Sequence, residues 1–305
     1  MTTKAPLAEP VDIGKAASAA FLRLPEVPTL FRRRAARFAA LAPGHPLEKF
    51  LRFMGRLAEA QAEAVRALTP GGLPDGTEIE EAKESALPPL GGDGLLDGPQ
   101  WRDVLRALLK TIGAADMPTE TRHIIAGLAS EPAAALDARA RAVLSGDVAD
   151  EDRGAAVFVT AALQVRWAGA ASLLSAEGFQ QVDEGRLCPV CASAPQVSVV
   201  GPASEGQNTR YLHCGLCASA WNYVRIKCAA CGSTAGVAYH GIEGTDQSIR
   251  AETCDECHGY VKILSSEKDP AVDPTADDIA STGLDLMVAE AGWHRPAPNP
   301  FLLAT

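Results

Sequence analysis

Eight cysteines carry the chemistry of this 305-residue chain, and all of them lie between Cys188 and Cys257. They form four Cys-x-x-Cys pairs: Cys188/Cys191, Cys214/Cys217, Cys228/Cys231 and Cys254/Cys257. Twenty-two residues separate the first pair from the second, and 22 the third from the fourth, so each cysteine of the first half has a counterpart 40 positions later. A repeat this regular reads as duplication of one unit. A Cys-x-x-Cys turn can aim two sulfurs at one ion, and a second turn brought up by connecting strands closes a tetrahedron of four thiolates. Such a site leaves no position for water, which favours structural Zn²⁺ or a rubredoxin-type single Fe over hydrolytic chemistry. Both metals accept tetrahedral sulfur, and spacing does not choose between them.

The period of 40 favours consecutive pairing over an interleaved one, giving Cys188, Cys191, Cys214 and Cys217 as the first metal site and Cys228, Cys231, Cys254 and Cys257 as the second. Only ten residues separate Cys217 from Cys228, so the sites are expected to be close neighbours in one tandem module. A thioredoxin-like redox pair fits less well, because that motif stands alone after a strand. A four-iron cluster fits less well too, since its ligands usually bunch within one segment. Four thiolates around a 2+ ion leave a formal charge of about −2. Arg225, Lys227 and Lys262 stand near the cysteines and either soften that charge or lie on solvated strand faces. His213 and His258 each adjoin a ligand cysteine and are read as second-layer or surface groups, since the thiolates already make two complete sets.

Little else points to chemistry. No P-loop, nucleophile elbow or paired His/carboxylate site stands out, and His123, His240 and His294 are isolated, so no catalytic residue is assigned. The chain has 28 basic against 38 acidic residues, and the segment 183–268 has nine acidic against seven basic, so nothing suggests a basic stripe for a phosphate backbone.

The elements that must position the cysteines divide in two. Before Cys188 the chain is rich in Ala, Leu and Arg at helical spacing. Leu47, Phe50, Leu51, Met54, Leu57, Gln61, Ala64, Val65 and Leu68 form one almost wholly apolar stripe, with Pro46 at its start and Pro70-Gly71-Gly72 as its stop. Further helices are expected from Thr29 to Leu41, Trp101 to Ile112, Pro118 to Ala129, Ala133 to Leu144 and Asp152 to Ser175, with 70–99 a loop holding at most one short helix. Ala155 to Ala176 is interrupted by Gln164, Arg166 and Trp167 and reads as a buried helix, not a membrane span. From Arg186 short β-prone runs take over: Val197 to Val200, Tyr223 to Ile226, Val237 to Tyr239 and Tyr260 to Ile263. A helix around Asp277 to Glu290 follows, and a proline-rich tail in which Phe301 and Leu302 could pin the chain back onto the body. The reading is α+β. An all-α domain (1–182) leads into two small β-rich four-cysteine modules (183–225 and 226–266), then a C-terminal helix and extended tail (267–305). Met1 to Gly14 lacks an apolar core for a secretory signal, and Arg32-Arg33-Arg34 reads as an exposed helix face rather than a twin-arginine signal. A cytoplasmic location follows, where the cysteines would not pair as disulfides.

The runs Arg210 to Cys217, Trp221, Val224 to Cys228, Ala251 to Cys257, Tyr260 to Lys262, Glu267 to Pro270 and Asn299 to Phe301 closely resemble the formate dehydrogenase accessory protein family, FdhE. The resemblance is dense from Cys188 to Phe301 and before that rests on helical character and the segment from His45-Pro46 to Gln61. It departs where His258 follows the last cysteine, a place where Gly is common. It implies a cytoplasmic maturation factor, not an enzyme. Its partner would be the molybdenum- or tungsten-containing catalytic subunit of respiratory formate dehydrogenase, before export by the twin-arginine pathway. The family's rubredoxin-like description keeps Fe beside Zn. Glu252, Arg225 and Tyr211 match family positions without a chemical role from first principles. Homodimerisation stays open. A rubredoxin-like electron-transfer or redox-sensing protein is the alternative, and a zinc-ribbon nucleic-acid binder a more distant one.

Overall fold

A computed structural model describes residues 19–68, 71–113, 117–180, 185–201, 209–297 and 299–302. The segment Met1 to Gly14, Pro70 and the boundary at 182–183 fall outside the described residues.

The helical half comprises α1 (Val27–Leu41), α2 (Glu48–Ala64), α3 (Gly76–Glu84), α4 (Gln100–Ile112), α5 (Thr119–Ser130), α6 (Ala133–Ser145) and α7 (Arg153–Ala171). The stripe buries Leu51, Met54, Leu57, Gln61 and Ala64 on α2, as its spacing predicts, while Leu47 just before the helix is exposed. The described residues 71–99 hold one α-helix, α3, started by an Asp75/Glu78 capping box, and a 3-10 turn at Gly94–Leu96. Helix α6 stops at Gly146 in the left-handed conformation. Almost every side chain of α7 is buried, which is why its hydropathy resembles a membrane span; among the described residues no helix is long and apolar enough to cross a membrane. Two of its buried polar side chains have partners, while the Thr160 hydroxyl has none among the described residues. Gln164 and Arg166 are 2% and 1% exposed. Arg166 donates to the carbonyls of Gly71 and Gly72.

The described residues form seven strands, β1 (Leu22–Arg23) before the helices and six that follow the repeat: β2 (Pro195–Val200), β3 (Arg210–Cys214), β4 (Ala220–Asn222), β5 (Val237–His240), β6 (Ile249–Cys254) and β7 (Tyr260–Ser265). They form one sheet in the order β1-β4-β3-β2-β7-β6-β5. Each 40-residue unit is a three-strand meander, β2-β3-β4 or β5-β6-β7. The units join where β2 pairs in parallel with β7, Val197 opposite Lys262. The two four-cysteine units thus share one continuous sheet.

The run Tyr223 to Ile226 is not a strand. The ladder ends at Asn222, and the chain turns towards the next cysteine, held by Arg210, which donates to the carbonyls of Arg225 and Lys227 at 3.3 and 3.0 Å. The C-terminal helix is two helices, α8 (Ala276–Ala280) and α9 (Thr282–Glu290). Lys262 breaks it: its ammonium donates to the carbonyls of Asp278 and Ser281, taking acceptors that a continuous helix would use. Arg32 and Arg33 are exposed as expected, whereas Arg34 is buried against Asp273 (3.3 Å) and Gln164 (3.1 Å). The tail does return to the body, with Phe301 4% and Asn299 0% exposed.

Lys262 sits at the centre of a buried ionic group: Asp278 at 3.1 Å and Asp285 at 2.5 Å, with Arg295 at 3.0 Å from Asp278. Burial alone would raise the Asp278 carboxyl, but the charges of Lys262 and Arg295 hold it at about 2. Its folded pKa lies below the unfolded value of 3.8, so it contributes stability above pH 4 that is lost as pH falls towards 2. Asp278→Ala should cost about 3–5 kcal/mol near neutrality by leaving Lys262 and Arg295 to share a single buried carboxylate, Asp285. In urea titrations the gap between wild type and Asp278→Asn should narrow below pH 4; a gap constant down to pH 2 would contradict the ionic account.

Candidate metal centres

The second hairpin of each unit is the same object drawn twice. Strand β3 ends in Cys214 and β6 in Cys254, and each turns through a Cys-x-x-Cys knuckle into β4 or β7. The registers are equivalent: Leu212 faces Trp221 in one copy, and Glu252 faces Val261 in the other. The knuckles close with backbone bonds from Cys214 N–H to Ser219 C=O (2.9 Å) and from Cys254 N–H to Gly259 C=O (3.0 Å). The first knuckles do likewise, Cys188 to Ser193 (2.9 Å) and Cys228 to Ser233 (2.8 Å).

In all four knuckles the residue after the second cysteine has positive φ: Ala192 (63°), Ala218 (58°), Gly232 (80°) and His258 (52°). His258 thus keeps the turn despite being no glycine. The left-handed conformation costs a non-glycine residue about 1–2 kcal/mol, so the turns hold it because the strands and sulfurs demand it.

The eight thiols gather into the two predicted groups, Cys188/Cys191/Cys214/Cys217 and Cys228/Cys231/Cys254/Cys257, with all sulfurs of a group within 4.8 Å of one another. Across the first group Cys188–Cys217 is 3.5 Å and Cys191–Cys214 is 3.4 Å; across the second Cys228–Cys257 is 3.8 Å and Cys231–Cys254 is 3.7 Å. A disulfide would bring sulfurs to about 2 Å. A regular tetrahedron with metal–sulfur bonds of about 2.3 Å puts them about 3.8 Å apart, which the second group matches and the first approaches from slightly inside. The donor set is sulfur alone, so each group could hold one thiophilic ion.

Hydrogen bonds to sulfur come from the knuckle backbone. Leu216 and Cys217 N–H donate to Cys214 Sγ (both 3.4 Å), Ala230 N–H to Cys228 Sγ (3.3 Å) and Gly259 N–H to Cys257 Sγ (3.3 Å). Hydroxyls of Ser193 and Ser219 lie 3.4 and 3.3 Å from Cys191 and Cys217 Sγ. Sequence reasoning missed these serines, although a Ser two residues past the cysteine recurs at 193, 219 and 233 and was there to be read.

The cations behave differently from expectation. Lys262 does not soften a thiolate charge; it is spent on Asp278 and Asp285. Arg225 is exposed on a turn, and neither its side chain nor that of Lys227 donates to a cluster sulfur. Glu252 acquires a structural role: it is 2% exposed and accepts from Arg210 at 2.8 Å, a bond between the two repeat units. Burial raises its carboxyl even so. Tyr211 anchors the N-terminal strand through Ala20 C=O (2.6 Å), under the guanidinium of Arg23. His213 and His258 stand outside both sulfur groups; burial pushes His213 down to about 4.

The two groups share a template but not surroundings. Every cysteine of the first is buried, and Cys188, Cys191, Cys214 and Cys217 belong to the main hydrophobic cluster with Trp167, Leu163 and Phe158. Helix α7 touches the site: Gln164 donates to Gly215 C=O at 2.7 Å inside the Cys214 knuckle, and accepts from Gln61 and Arg34. In the second group Cys231 and Cys257 are partly exposed, and no helix of the N-terminal half bonds to its knuckles among the described residues. Without an ion, burial drives the thiols of Cys188 and Cys217 up, and Cys257 up to about 12. Loading therefore releases protons and weakens in acid.

Protein carrying two ions should surrender them to a chelator in two steps, with the Cys228 group emptying at least about tenfold faster because its sulfurs meet solvent. A metallochromic dye reads the release. Cys228→Ser and Cys188→Ser, each scored by metal stoichiometry and melting temperature, assign the phases, and Cys188→Ser should cost more stability because it empties a site inside the core. A single release phase would overturn this asymmetry.

Comparison with known proteins follows this geometry closely. Family models described as FdhE N-terminal, FdhE central domain and FdhE C-terminal domain match residues 19–184, 187–225 and 226–302. The chain is 33% identical to a Protein FdhE homolog of Rhizobium meliloti over 297 residues, covering 97% of each chain. It is 36% identical to Protein FdhE of Escherichia coli, covering 92% of this chain and 90% of that one. The crystal structure of the FdhE protein from Pseudomonas aeruginosa superposes with a TM-score of 0.82 at 33% identity, covering 92% of this chain and 98% of that chain.

Proposed function

Because the chain belongs to the FdhE family, we propose that it serves as an accessory protein that binds the catalytic subunit of respiratory formate dehydrogenase in the cytoplasm, before twin-arginine export, and does not itself catalyse a reaction. The observation that carries this reading is the pair of closed four-sulfur groups on one sheet. A catalytic metal keeps a position open for water or substrate, and these donor sets complete a tetrahedron without one. What such sites provide is a rigid, metal-braced surface.

In this reading Cys188, Cys191, Cys214 and Cys217 hold one ion and Cys228, Cys231, Cys254 and Cys257 a second, either Fe of the rubredoxin type or Zn. Either ion supplies folding energy by tying strands β3/β4 and β6/β7 to the knuckles before them. Iron would add one-electron chemistry. This chain's own contribution is to keep the first site dry under α7 and to leave the second near water. The partial exposure of Cys231 and Cys257 favours a second reading, electron exchange at that site if it holds iron.

Protein purified anaerobically, without added metal, should contain about two ions per chain. Iron with thiolate charge-transfer bands supports the redox reading, and zinc with a blank visible spectrum removes it. Tagged protein should co-purify with the unexported catalytic subunit, and cells lacking it should lose formate dehydrogenase activity. Intact activity and export in the deletion strain would sink the accessory role.

A further inference from the structure

The sheet has two ends, and they are finished differently. One is closed by β1, a two-residue strand that adds to β4 with Leu22 opposite Trp221. At the other end lies β5, which pairs with β6 alone among the described residues. Asp255 N–H donates to Gly236 C=O (2.9 Å), and in an antiparallel ladder the pairing then alternates. Ala238 and His240 therefore turn towards β6, while Val237 and Tyr239 direct their N–H and C=O groups outward. Cys254, opposite Val237, agrees: its own N–H points away, to Gly259.

Exposed strand edges are normally blunted by a charged side chain, a proline or a bulge. Val237-Ala238-Tyr239-His240 has none of these; brevity is its one protection, and its ladder with β6 runs without a register shift. Nor does the surface beside it repel a partner. Tyr239 is 41% exposed, and its hydroxyl donates to Arg225 C=O (3.4 Å) in a turn whose Val224 and Ile226 are 41% and 66% exposed. Arg250 lies over the Tyr239 ring at 5.3 Å and Arg225 is exposed, so the rim is cationic at Tyr239, while the exposed Asp255 stands beside Gly236 at the start of the strand. The corresponding edge in the first repeat shows what such a strand accepts. Strand β2, the counterpart of β5, is covered by the parallel strand β7.

We propose that the outer edge of β5 captures an extended segment of the client, adding it as an eighth strand through the Val237 and Tyr239 backbone, with an apolar side chain on Tyr239 and a carboxylate towards Arg225 and Arg250. The occupant is extended because unpaired edge groups at strand spacing select that conformation. It carries acidic charge because the rim at Tyr239 is basic. The proposal rests on the client-binding reading above and names the surface that performs it.

Hydrogen–deuterium exchange on the full-length, metal-loaded protein, with and without purified catalytic subunit, tests it. The expected result is slowed exchange, tenfold or more, at the Val237 and Tyr239 amides. Val237→Pro deletes an outward donor without touching the β6 ladder, and should weaken client binding about tenfold at unchanged metal content; Val237→Ala, which keeps the N–H, should bind as wild type. Client binding with protection elsewhere, or equal binding by Val237→Pro, overturns the edge and leaves the accessory role standing. Failure of the wild-type protein to bind the subunit overturns both. Protection of β5 that grows with protein concentration alone identifies a second copy as the occupant and also overturns the proposal. If Val237→Pro fails to fold, the wild-type exchange data decide.

Discussion

Four sulfurs surround one ion only when two tight turns are held face to face, and a Cys-x-x-Cys turn cannot hold itself. Each turn here requires a left-handed residue directly after its second cysteine, and three of the four are Ala192, Ala218 and His258 rather than glycine. Such backbone persists only where the surroundings over-determine it. A backbone bond closes each knuckle, and the hairpins β3–β4 and β6–β7 hold those at Cys214 and Cys254 in equivalent register 40 residues apart. From this constraint follow the meander of each unit and, through the β2–β7 pairing, the single sheet.

What differs between the copies is what lies on top of them. The first sulfur group is roofed by the helical half, whose core is continuous with its cysteines. Gln164 is the fastening: one buried amide joins α2 through Gln61, α1 through Arg34 and the knuckle through Gly215. Arg34 in turn reaches Asp273, tying the same junction to the segment before α8. A polar group so deep in an apolar helix is costly unless it finds partners, and this one accepts two bonds and donates a third. The helices thus act partly as a lid for the first site, while the second site is left with solvent at Cys231 and Cys257.

The cysteine spacing made the two sulfur groups legible before any coordinates, because four turns at a 40-residue period leave few ways to close tetrahedra. The helices were legible from their stripes, α2 most plainly. Strands β3 and β6 were not, since Arg210, His213, Glu252 and Thr253 break any apolar alternation. Their burial is made tolerable by partners far along the chain: Arg210 meets Glu252, 42 residues away. Lys262 misled for the same reason. Sequence proximity to Cys257 suggested a counter-charge for thiolates, whereas its carboxylates come from Asp278 and Asp285, on helices that sequence alone could not place beside β7. Local pattern reveals what a segment is, and a buried charge reveals where it goes only once the fold is known.

Two copies of one unit in one sheet raise a problem of identity, since either copy's edges resemble the other's. The buried charges distinguish them. Glu252 of β6 has Leu212 as its counterpart, and Lys262 of β7 has Asn222. Arg210 is 1% exposed and bonds to Ser198 and Glu252, whereas its counterpart Arg250 lies over Tyr239 near the surface. Exchanging the copies, or slipping one strand, would leave an uncompensated charge in the interior, at a cost of several kcal/mol. Intact buried pairs add little net stability, because desolvation offsets their attraction. Their effect here is on which arrangement wins: the order β4-β3-β2-β7-β6-β5 brings Arg210 to Glu252 and Lys262 to Asp278, and so favours the arrangement in which the first sulfur group lies under the helices and the second faces water.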